Sequence, residues 1–430
     1  MMKTPQAKNV GRNETKAEDA YSQSSVPDEL RRGWLPTASI YAGMSMGGLV
    51  IGGTLASQMT FSGAMLSVLG GLTILAFLVF YPLGRIGMIE GMNSYVIGEA
   101  AFGRRGSNIA CALIITAIPA TTWYGVNVSV AVEALCLIFG IEGVLIKSVL
   151  CFLLGLVYII PSLIGSKAMA KLNYMAIPLV VIISLYGVRL ALTGAGSLEA
   201  LMAYEPPVPI SLFAGCNLVA GASISGYAFA PDYTRWQRKR SSEMLATIGI
   251  GIYPGAIALT GAGIVMGIAA ANLGLINVWE PAKVIMTLGM PTFCLILVIL
   301  FQWSNCAMAG YSCALAWEKL FGGKRRWWVI MTAVVGCALS VSGVIHHVTM
   351  ITNLLSQFIA PVAGVILAEY YVVSGRKLDR KDGFYLPGIL AWAAGCAAAY
   401  AEVFIPAVNG VIVSFVFYVI WHRVCRGGHS

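Results

Sequence analysis

The sequence predicts an all-α integral membrane protein of about twelve transmembrane helices. Three observations support this fold class. The chain of 430 residues is 58% hydrophobic and 11% charged, whereas a soluble domain carries about 25% charged residues. The apolar residues form long unbroken runs, and one helical span needs about 20 of them. The Lys and Arg residues fall on alternate connections once the runs are counted. The lipid bilayer is therefore the expected solvent.

Twelve apolar runs follow a polar segment at the start of the chain. Residues 1–33 are rich in Ser, Asn, Lys and Glu, which predicts a disordered cytoplasmic tail. Residues 423–430 are expected to form a second cytoplasmic tail. The predicted spans are 35–57, 62–84, 107–139, 143–163, 170–193, 208–230, 244–272, 284–318, 327–345, 347–371, 384–403 and 405–422.

The distribution of basic residues tests this count. With the N-terminus inside the cell, 25 of the 28 Lys and Arg residues fall on the inner side, whereas Lys147, Lys283 and Arg189 fall outside. Cytoplasmic connections collect Lys and Arg, so we predict a multi-pass protein of the inner or plasma membrane with both termini cytoplasmic. The net charge of +9 then reflects topology and anionic lipid headgroups, and no nucleic-acid partner is expected.

Two of the predicted spans are unusually rich in small residues. They are span 1 over residues 42–54 and span 6 over residues 214–226. Each glycine disfavours a helix by about 1 kcal/mol, so both spans could unwind near mid-membrane. Breaks at matching places are typical of transporters built from inverted repeats. They predict five-span repeats at 34–193 and 208–371, followed by two added spans at 384–422. Close helix packing by small residues is the alternative explanation.

Two clusters of polar residues lie deep in the predicted spans. Trp123 and Asn127 are four residues apart and share one face of span 3. An aromatic plane beside an amide suits a flat heteroaromatic solute, because the ring can stack while the amide reads its edge. The alternative is a core tryptophan with an interhelical amide bond. On span 8, Ser304 and Asn305 carry oxygens that suit Na⁺, or else make interhelical hydrogen bonds.

Ionisable residues are rare within the spans. Glu133 on span 3 is a candidate proton carrier, because intramembrane acids are functional candidates. A position at the outer interface would leave it merely solvated. Asp232 is expected to cap a helix end or to pair with Arg235. The sequence contains no evident catalytic arrangement, phosphate-binding loop or metal-ligand pattern, so we predict neither an enzyme nor a resident cofactor.

Six short motifs resemble those of the nucleobase–cation symporter family, and the cytosine permease branch is most similar. Their order and spacing are more specific than any single motif. The motifs are G-G-T-L at 52–55, F-G-x-x-G-S at 102–107, W-Y-G-V-N at 123–127, A-P-D-Y-T-R at 230–235, W-S-N with a later tyrosine at 303–311, and A-P-V-A-G-V-I-L-A-E-Y at 360–370.

The resemblance implies a five-plus-five inverted repeat, alternating access and a flat heterocycle carried with Na⁺ or H⁺. Trp123 would be the stacking aromatic, and Asn127 the substrate-facing amide. The family often has a second aromatic on span 6, but Ser223 holds the matching position. Either one aromatic face of the site is missing, or Tyr227 or Phe229 supplies it. The candidate substrate-binding residues are Trp123, Asn127, Gly48, Ser223, Gly226, Tyr227 and Gln302.

The resemblance also implies a cation site between spans 1 and 8. The span-1 carbonyls would lie near Ser45 and Gly48. The matching span-8 residues are Phe301, Ser304 and Asn305. Asn305 replaces the usual second hydroxyl, and its amide oxygen can still bind Na⁺, so both Na⁺ and H⁺ coupling stay open.

The leading hypothesis is a secondary symporter that imports a nucleobase such as cytosine, or a related planar heterocycle. The same fold could instead carry an amino acid or a quaternary amine. A channel is a second class of function, and a non-transporting membrane sensor is a third. The sequence leaves the solute, the coupling ion and the oligomeric state open.

Overall fold

The protein is helical throughout the part of the chain that the structure describes. Apart from one isolated bridge between Arg32 and Gln237, the described residues contain no β-structure. Seven of their helices are long and apolar enough to cross a membrane, judged by length and composition. The predicted all-α class is confirmed, and the count of twelve spans stays a prediction. In this computed structural model the described residues are 21, 24–44, 47–164, 166–193, 197–401 and 403–427.

The first half of the helical region begins with one span that is interrupted, so that it forms two short helices. Four longer helices follow. The third of these six helices contains a π-helical turn at Ala76–Phe80, and the fourth is π-helical over Asn108–Ala117. The helices are α1 (Leu35–Met44), α2 (Gly48–Ala56), α3 (Phe61–Glu90), α4 (Ser94–Phe139), α5 (Val144–Ile164) and α6 (Ser166–Thr193), and α7 (Leu198–Met202) leads to the second half.

The second half begins in the same way as the first. A broken pair again precedes a long helix with a π-helical turn, here at Thr247–Ile252. An inverted spatial relation between the halves stays a prediction. The helices are α8 (Leu212–Ala228), α9 (Ala230–Thr234), α10 (Ser241–Asn272), α11 (Pro281–Thr287), α12 (Phe293–Phe321), α13 (Arg325–Val341), α14 (Val344–Val373), α15 (Leu386–Tyr400) and α16 (Pro406–Gly427).

The helix breaks only partly follow the glycines. In span 1, α1 ends at Met44 and α2 begins at Gly48. In span 6 the interruption is later than expected, because α8 is continuous through 214–226 and helical geometry is lost at Phe229 (φ −91°, ψ 18°). Pro231 explains this position, since proline has no N–H to donate and its ring crowds the preceding turn.

Two predicted span boundaries need correction. The predicted span 284–318 is two helices, because the chain turns at Gly289, which has a φ of +68°, and then passes Pro291. The predicted span 107–139 is the later part of α4, which begins at Ser94 and is interrupted at Gly103 (φ 75°, ψ 164°).

Part of the expected N-terminal tail is packed against the helices. Val26 is 1% exposed, and its N–H donates to the Gly91 carbonyl at 3.0 Å. The Arg31 guanidinium donates to the Met88 carbonyl. Residues 24–33 are therefore an ordered strap across the end of α3, which corrects the prediction of disorder for this stretch.

The helices form two groups that face each other. In the first group α2 packs on α10 and α8 packs on α3, so each half of the chain contributes to both pairs. In the second group α4 packs on α12 and α13, and α5 packs on α13. Helices α4 and α12 are antiparallel: Thr121 Oγ1 lies 3.1 Å from Cys313 Sγ, whereas the Cys306 thiol reaches the Tyr124 carbonyl at 3.8 Å.

Candidate functional site

A cavity of about 200 Å³ lies between the two helix groups. It is bordered by the start of α2 and the end of α8, where both broken spans are interrupted. No Asp, Glu, Lys, Arg or His side chain borders it among the described residues. Its lining is therefore neutral, with both hydrogen-bonding and aromatic groups. The polar and aromatic lining residues are Thr116, Asn127, Ser223, Ser225, Thr260, Asn305 and Ser312, together with Tyr41, Trp123, Tyr227 and Phe229.

Helix α4 presents one face to the cavity. Trp123 and Asn127 border it, and Thr116 and Ala120 continue the same face toward the start of the helix. Asn127 is 7% exposed, and no hydrogen bond joins its amide to another described residue. A buried amide is costly to leave unpaired, so this group is suited to a bound polar solute.

The end of α8 supplies an aromatic wall. The Tyr227 ring packs edge-on against Tyr41 and Phe80, with centroid distances of 6.3 and 5.7 Å. The Tyr41 hydroxyl donates to the Gly226 carbonyl at 2.8 Å, which fixes α1 against the end of α8. Tyr227 and Phe229 both border the cavity, and Ser223 lies on the same wall.

The candidate cation residues are only partly brought together. Gly48 and Asn305 border the cavity. Phe301 is 2% exposed and belongs to a buried cluster with Leu49 at the start of α2. Ser304, 1% exposed, does not border the cavity. The expected carbonyl near Ser45 lies outside the described residues.

Gln302 lies behind the cavity wall, although the sequence placed it with the substrate. It is 3% exposed, and its Oε1 accepts a hydrogen bond from Asn305 Nδ2 at 3.0 Å. Gln302 therefore fixes the orientation of the Asn305 amide through a hydrogen bond on the side away from the cavity. The Asn305 Oδ1 carries no hydrogen bond from the described residues.

Glu133 is engaged away from the cavity. Its Oε2 lies 3.0 Å from Lys147 Nζ, and its Oε1 lies 3.8 Å from Lys283 Nζ. These partners are two of the three basic residues that the topology prediction places outside. The ion pairs with Lys147 and Lys283 account for this carboxylate, so the placement does not support a role as proton carrier.

The sequence analysis missed five polar or aromatic lining residues, one of which, Ser225, lies two residues after the predicted Ser223. Thr116 lies seven residues before Trp123, and Ser312 lies seven after Asn305, so helical spacing could have revealed both. Tyr41 and Thr260 carry no such signal. They reach the cavity because α1 and α10 pack beside the break in span 1.

The chain is similar to known proteins in sequence and in structure. The family model described as permease for cytosine/purines, uracil, thiamine and allantoin matches residues 25–419. The cytosine permease of Escherichia coli K12 is 26% identical over 414 residues, covering 94% of each chain. The hydantoin permease of Microbacterium maritypicum is 23% identical over 410 residues, covering 89% of this chain and 80% of the relative.

Solved structures share the fold. The inward-facing conformation of Mhp1 superposes with a TM-score of 0.82 at 20% identity, covering 95% of this chain and 94% of that one. Mhp1, a nucleobase-cation-symport-1 family transporter, in a closed conformation with bromovinylhydantoin bound superposes with a TM-score of 0.77 at 20% identity, covering 94% and 95%.

Proposed function

Because this chain belongs to the family of permeases for cytosine, purines, uracil, thiamine and allantoin, we propose that it is a secondary symporter that imports a nucleobase. Cytosine heads the candidates, since cytosine permeases match over 94% of the chain. Related planar heterocycles follow, because permeases for hydantoin and allantoin also match. The observation that carries the proposal is a neutral cavity that shares one face of α4 with a tryptophan and a buried amide, and no other described residue hydrogen-bonds to that amide.

The neutral lining favours a heterocycle over the alternative solutes. A zwitterionic amino acid presents two charges, and a desolvated charge needs a partner. A quaternary amine is held by several aromatic faces around one cation. A neutral heterocycle has a flat apolar surface and a hydrogen-bonding edge, which match Trp123 and the amide and hydroxyl groups of the cavity.

In the proposed binding mode the solute stacks on Trp123 and presents its polar edge to Asn127. Tyr227 and Phe229 bound the opposite side, and the backbone at Gly48 and Gly226 lies beside the solute. Ser223 takes the place of the aromatic side chain that the family often has at this position. The space that this serine leaves is expected to affect which heterocycles fit.

In the proposed coupling mode a cation lies between the start of α2 and α12. Its ligands would be carbonyls near Ser45 and Gly48, the Phe301 carbonyl, and the side-chain oxygens of Ser304 and Asn305. Solute and cation would each bind the occluded arrangement more tightly than the open ones, and so would favour closure together. Proton coupling is the competing mode, since Asn305 is an amide rather than a hydroxyl.

Thermal stabilisation of the purified protein tests both modes. The panel contains nucleobases, hydantoin, allantoin and amino acids, each measured with Na⁺ and with choline as the replacement cation. Stabilisation by cytosine or another heterocycle, strengthened by Na⁺, is the expected result. Stabilisation that depends on pH and not on Na⁺ would replace Na⁺ by H⁺ coupling. A response confined to amino acids would refute the proposed substrate class.

A further inference from the structure

The cavity extends toward one side of the protein. Along α4 its lining runs from Ile115 to Asn127, and no described residue nearer the end of that helix takes part. Along the antiparallel α12 it runs from Asn305 to Ser312, again with no earlier residue of that helix. The lining residues of both helices therefore extend from the level of Trp123 toward the start of α4. In the predicted topology this is the cytoplasmic side.

On the opposite side, the connection between α10 and α11 lies directly on α2. A Cβ atom built on Gly53 would lie 2.9 Å from the Trp279 Cα and closer still to the Val278 carbonyl oxygen. Such distances leave no room for a side chain. Val278 is 3% exposed. We call residues 277–283 the outer lid.

An ion pair links the outer lid to the helix group that contains α4. Lys283 Nζ lies 2.8 Å from Glu280 Oε2 and 3.8 Å from Glu133 Oε1 on α4. Asn277 Nδ2 donates to Glu280 Oε1 at 3.0 Å. By contrast, no hydrogen bond between described residues joins Val278 or Trp279 to α2. The outer lid is thus tethered to the group that contains α4 and meets the group that contains α2 by close fit at a glycine.

We propose that Gly53 is the contact point on α2 against which the outer lid closes when the cavity faces the cytoplasm. Opening to the outside separates α2 from residues 278–279, and the missing side chain at position 53 is what lets the two backbones meet again. Gly53 is therefore a positioning residue for the transport cycle. This inference rests on the proposed transport function but not on the identity of the solute.

The test is the accessibility of the cavity from outside. A cysteine introduced by Ile51→Cys, on the cavity lining, is labelled in intact cells with a membrane-impermeant thiol reagent. The two least buried natural cysteines are first removed by Cys396→Ser and Cys425→Ser. In this background Gly53→Ala should raise the rate of labelling about tenfold or more, because overpacking disfavours the closed form relative to the outward-open one. Gly53→Val should raise it further.

The matched control is Gly261→Ala. Gly261 is also a buried helical glycine, but a Cβ there would lie 3.6 Å from Met65, which is ordinary contact. Its labelling should equal that of the background protein. Gly53→Ala should also slow substrate uptake while substrate-induced stabilisation of the purified protein persists. A simple folding defect would remove both.

Two results would overturn the proposal. The first is labelling of Gly53→Ala at the background rate in folded, monodisperse protein. If Gly53→Ala does not fold, Glu280→Gln and Lys283→Ala take its place, since they loosen the outer lid at its tether. Faster labelling of these variants supports the proposal, and unchanged labelling is the second result that overturns it. The labelling rate can be measured without a known solute, so failure of the proposed substrate class would show separately in the stabilisation panel.

Discussion

At the scale of the residue, Trp123 has an unusual position for a tryptophan in a membrane protein. Tryptophan is enriched at the membrane interfaces, but this side chain borders an internal cavity. Asn127, one turn further along α4, is buried without a hydrogen bond to another described residue. The aromatic surface can fix the plane of a flat solute, and the amide on the same helix face can fix which edge of the solute points toward it.

Trp123→Ala should abolish saturable uptake and heterocycle-induced stabilisation while leaving membrane insertion intact. Stacking on an aromatic face contributes about 0.5–1.5 kcal/mol beyond the buried area, and loss of the whole ring removes the burial as well. Radiolabelled uptake and thermal shift measure the two effects. The control is Trp327→Ala, because Trp327 is 60% exposed and does not border the cavity. Wild-type uptake by Trp123→Ala would disprove the stacking mode.

Asn305→Ala separates the two roles open to that side chain. If the amide oxygen binds the coupling cation, the variant should lose the dependence on Na⁺ while keeping the rank order of heterocycles. If the oxygen faces the solute, the rank order should change and the Na⁺ dependence should persist. Gln302→Leu removes the oxygen that accepts from the Asn305 amide, so it should change the same property as Asn305→Ala.

At the scale of the element, glycine serves the helices of this protein in two ways. Gly103 adopts a conformation that side chains rarely tolerate (φ 75°, ψ 164°) and interrupts α4. The connection between α14 and α15 then supplies the missing hydrogen bonds: Arg104 N–H donates to Lys381 O, and Arg105 N–H donates to Gly383 O, each at 2.8 Å. Elsewhere glycines keep helical geometry and allow backbones to approach closely.

Gly221→Ala should destabilise the packing of α8 on α14. A Cβ at this position would lie 3.0 Å from the Thr352 Cα and closer to its carbonyl, and overpacking of this kind typically costs about 1–3 kcal/mol. The melting temperature in detergent should fall measurably. Gly261→Ala is again the control, and an equal melting temperature for both variants would contradict the packing argument.

Arg380→Ala should destabilise the interrupted region of α4. Arg380 Nε lies 2.6 Å from Glu99 Oε2, and the Glu99 side chain is 3% exposed. Removing one partner of a buried ion pair usually costs about 3–5 kcal/mol, and we expect about 2 kcal/mol here because the arginine side is solvated. The double variant Glu99→Gln with Arg380→Ala should recover most of the loss. A double variant as unstable as Arg380→Ala alone would show that the charge is not the cause.

At the scale of the whole molecule, the N-terminal strap joins two connections of the first helix group at the predicted cytoplasmic side. Arg32 N–H donates to the Trp236 carbonyl at 2.7 Å, and Arg238 N–H donates to the Arg32 carbonyl at 2.9 Å. The strap therefore joins the connection after α9 as well as the end of α3. Both attachments belong to the first helix group, so the strap can move with that group as one unit.

The strap should loosen in acid. A hydrogen bond from Lys239, together with its charge and that of Arg31, holds the pKa of the Asp28 carboxyl below its usual value. A carboxyl whose pKa is lower in the folded state stabilises that state above the unfolded pKa, about 4, and the contribution is lost as pH falls through the folded pKa. Hydrogen exchange at the Arg32 amide, corrected for intrinsic rates, should therefore quicken at pH 3.5 relative to pH 6. Asp28→Asn should show little of this difference.

Part of the fold and part of the site follow from local sequence properties. Apolar composition and long apolar runs identified lipid as the solvent, and the four-residue spacing of Trp123 and Asn127 placed both on one face. Such features depend on neighbours along the chain. The position of the break near Pro231 is also local, although the glycines before it suggested an earlier one.

The sequence by itself determined the membrane-embedded helical class, the family resemblance and the cavity face of α4. The tertiary structure decided which face of each helix meets which partner. It placed Asn305 on the cavity and its neighbour Ser304 off it, brought Tyr41 and Thr260 to the site, and gave Gly53 and Gly221 close backbone contacts. The physical reason is range: helical periodicity fixes which side chains share a face, whereas packing between helices distant in sequence fixes what that face touches.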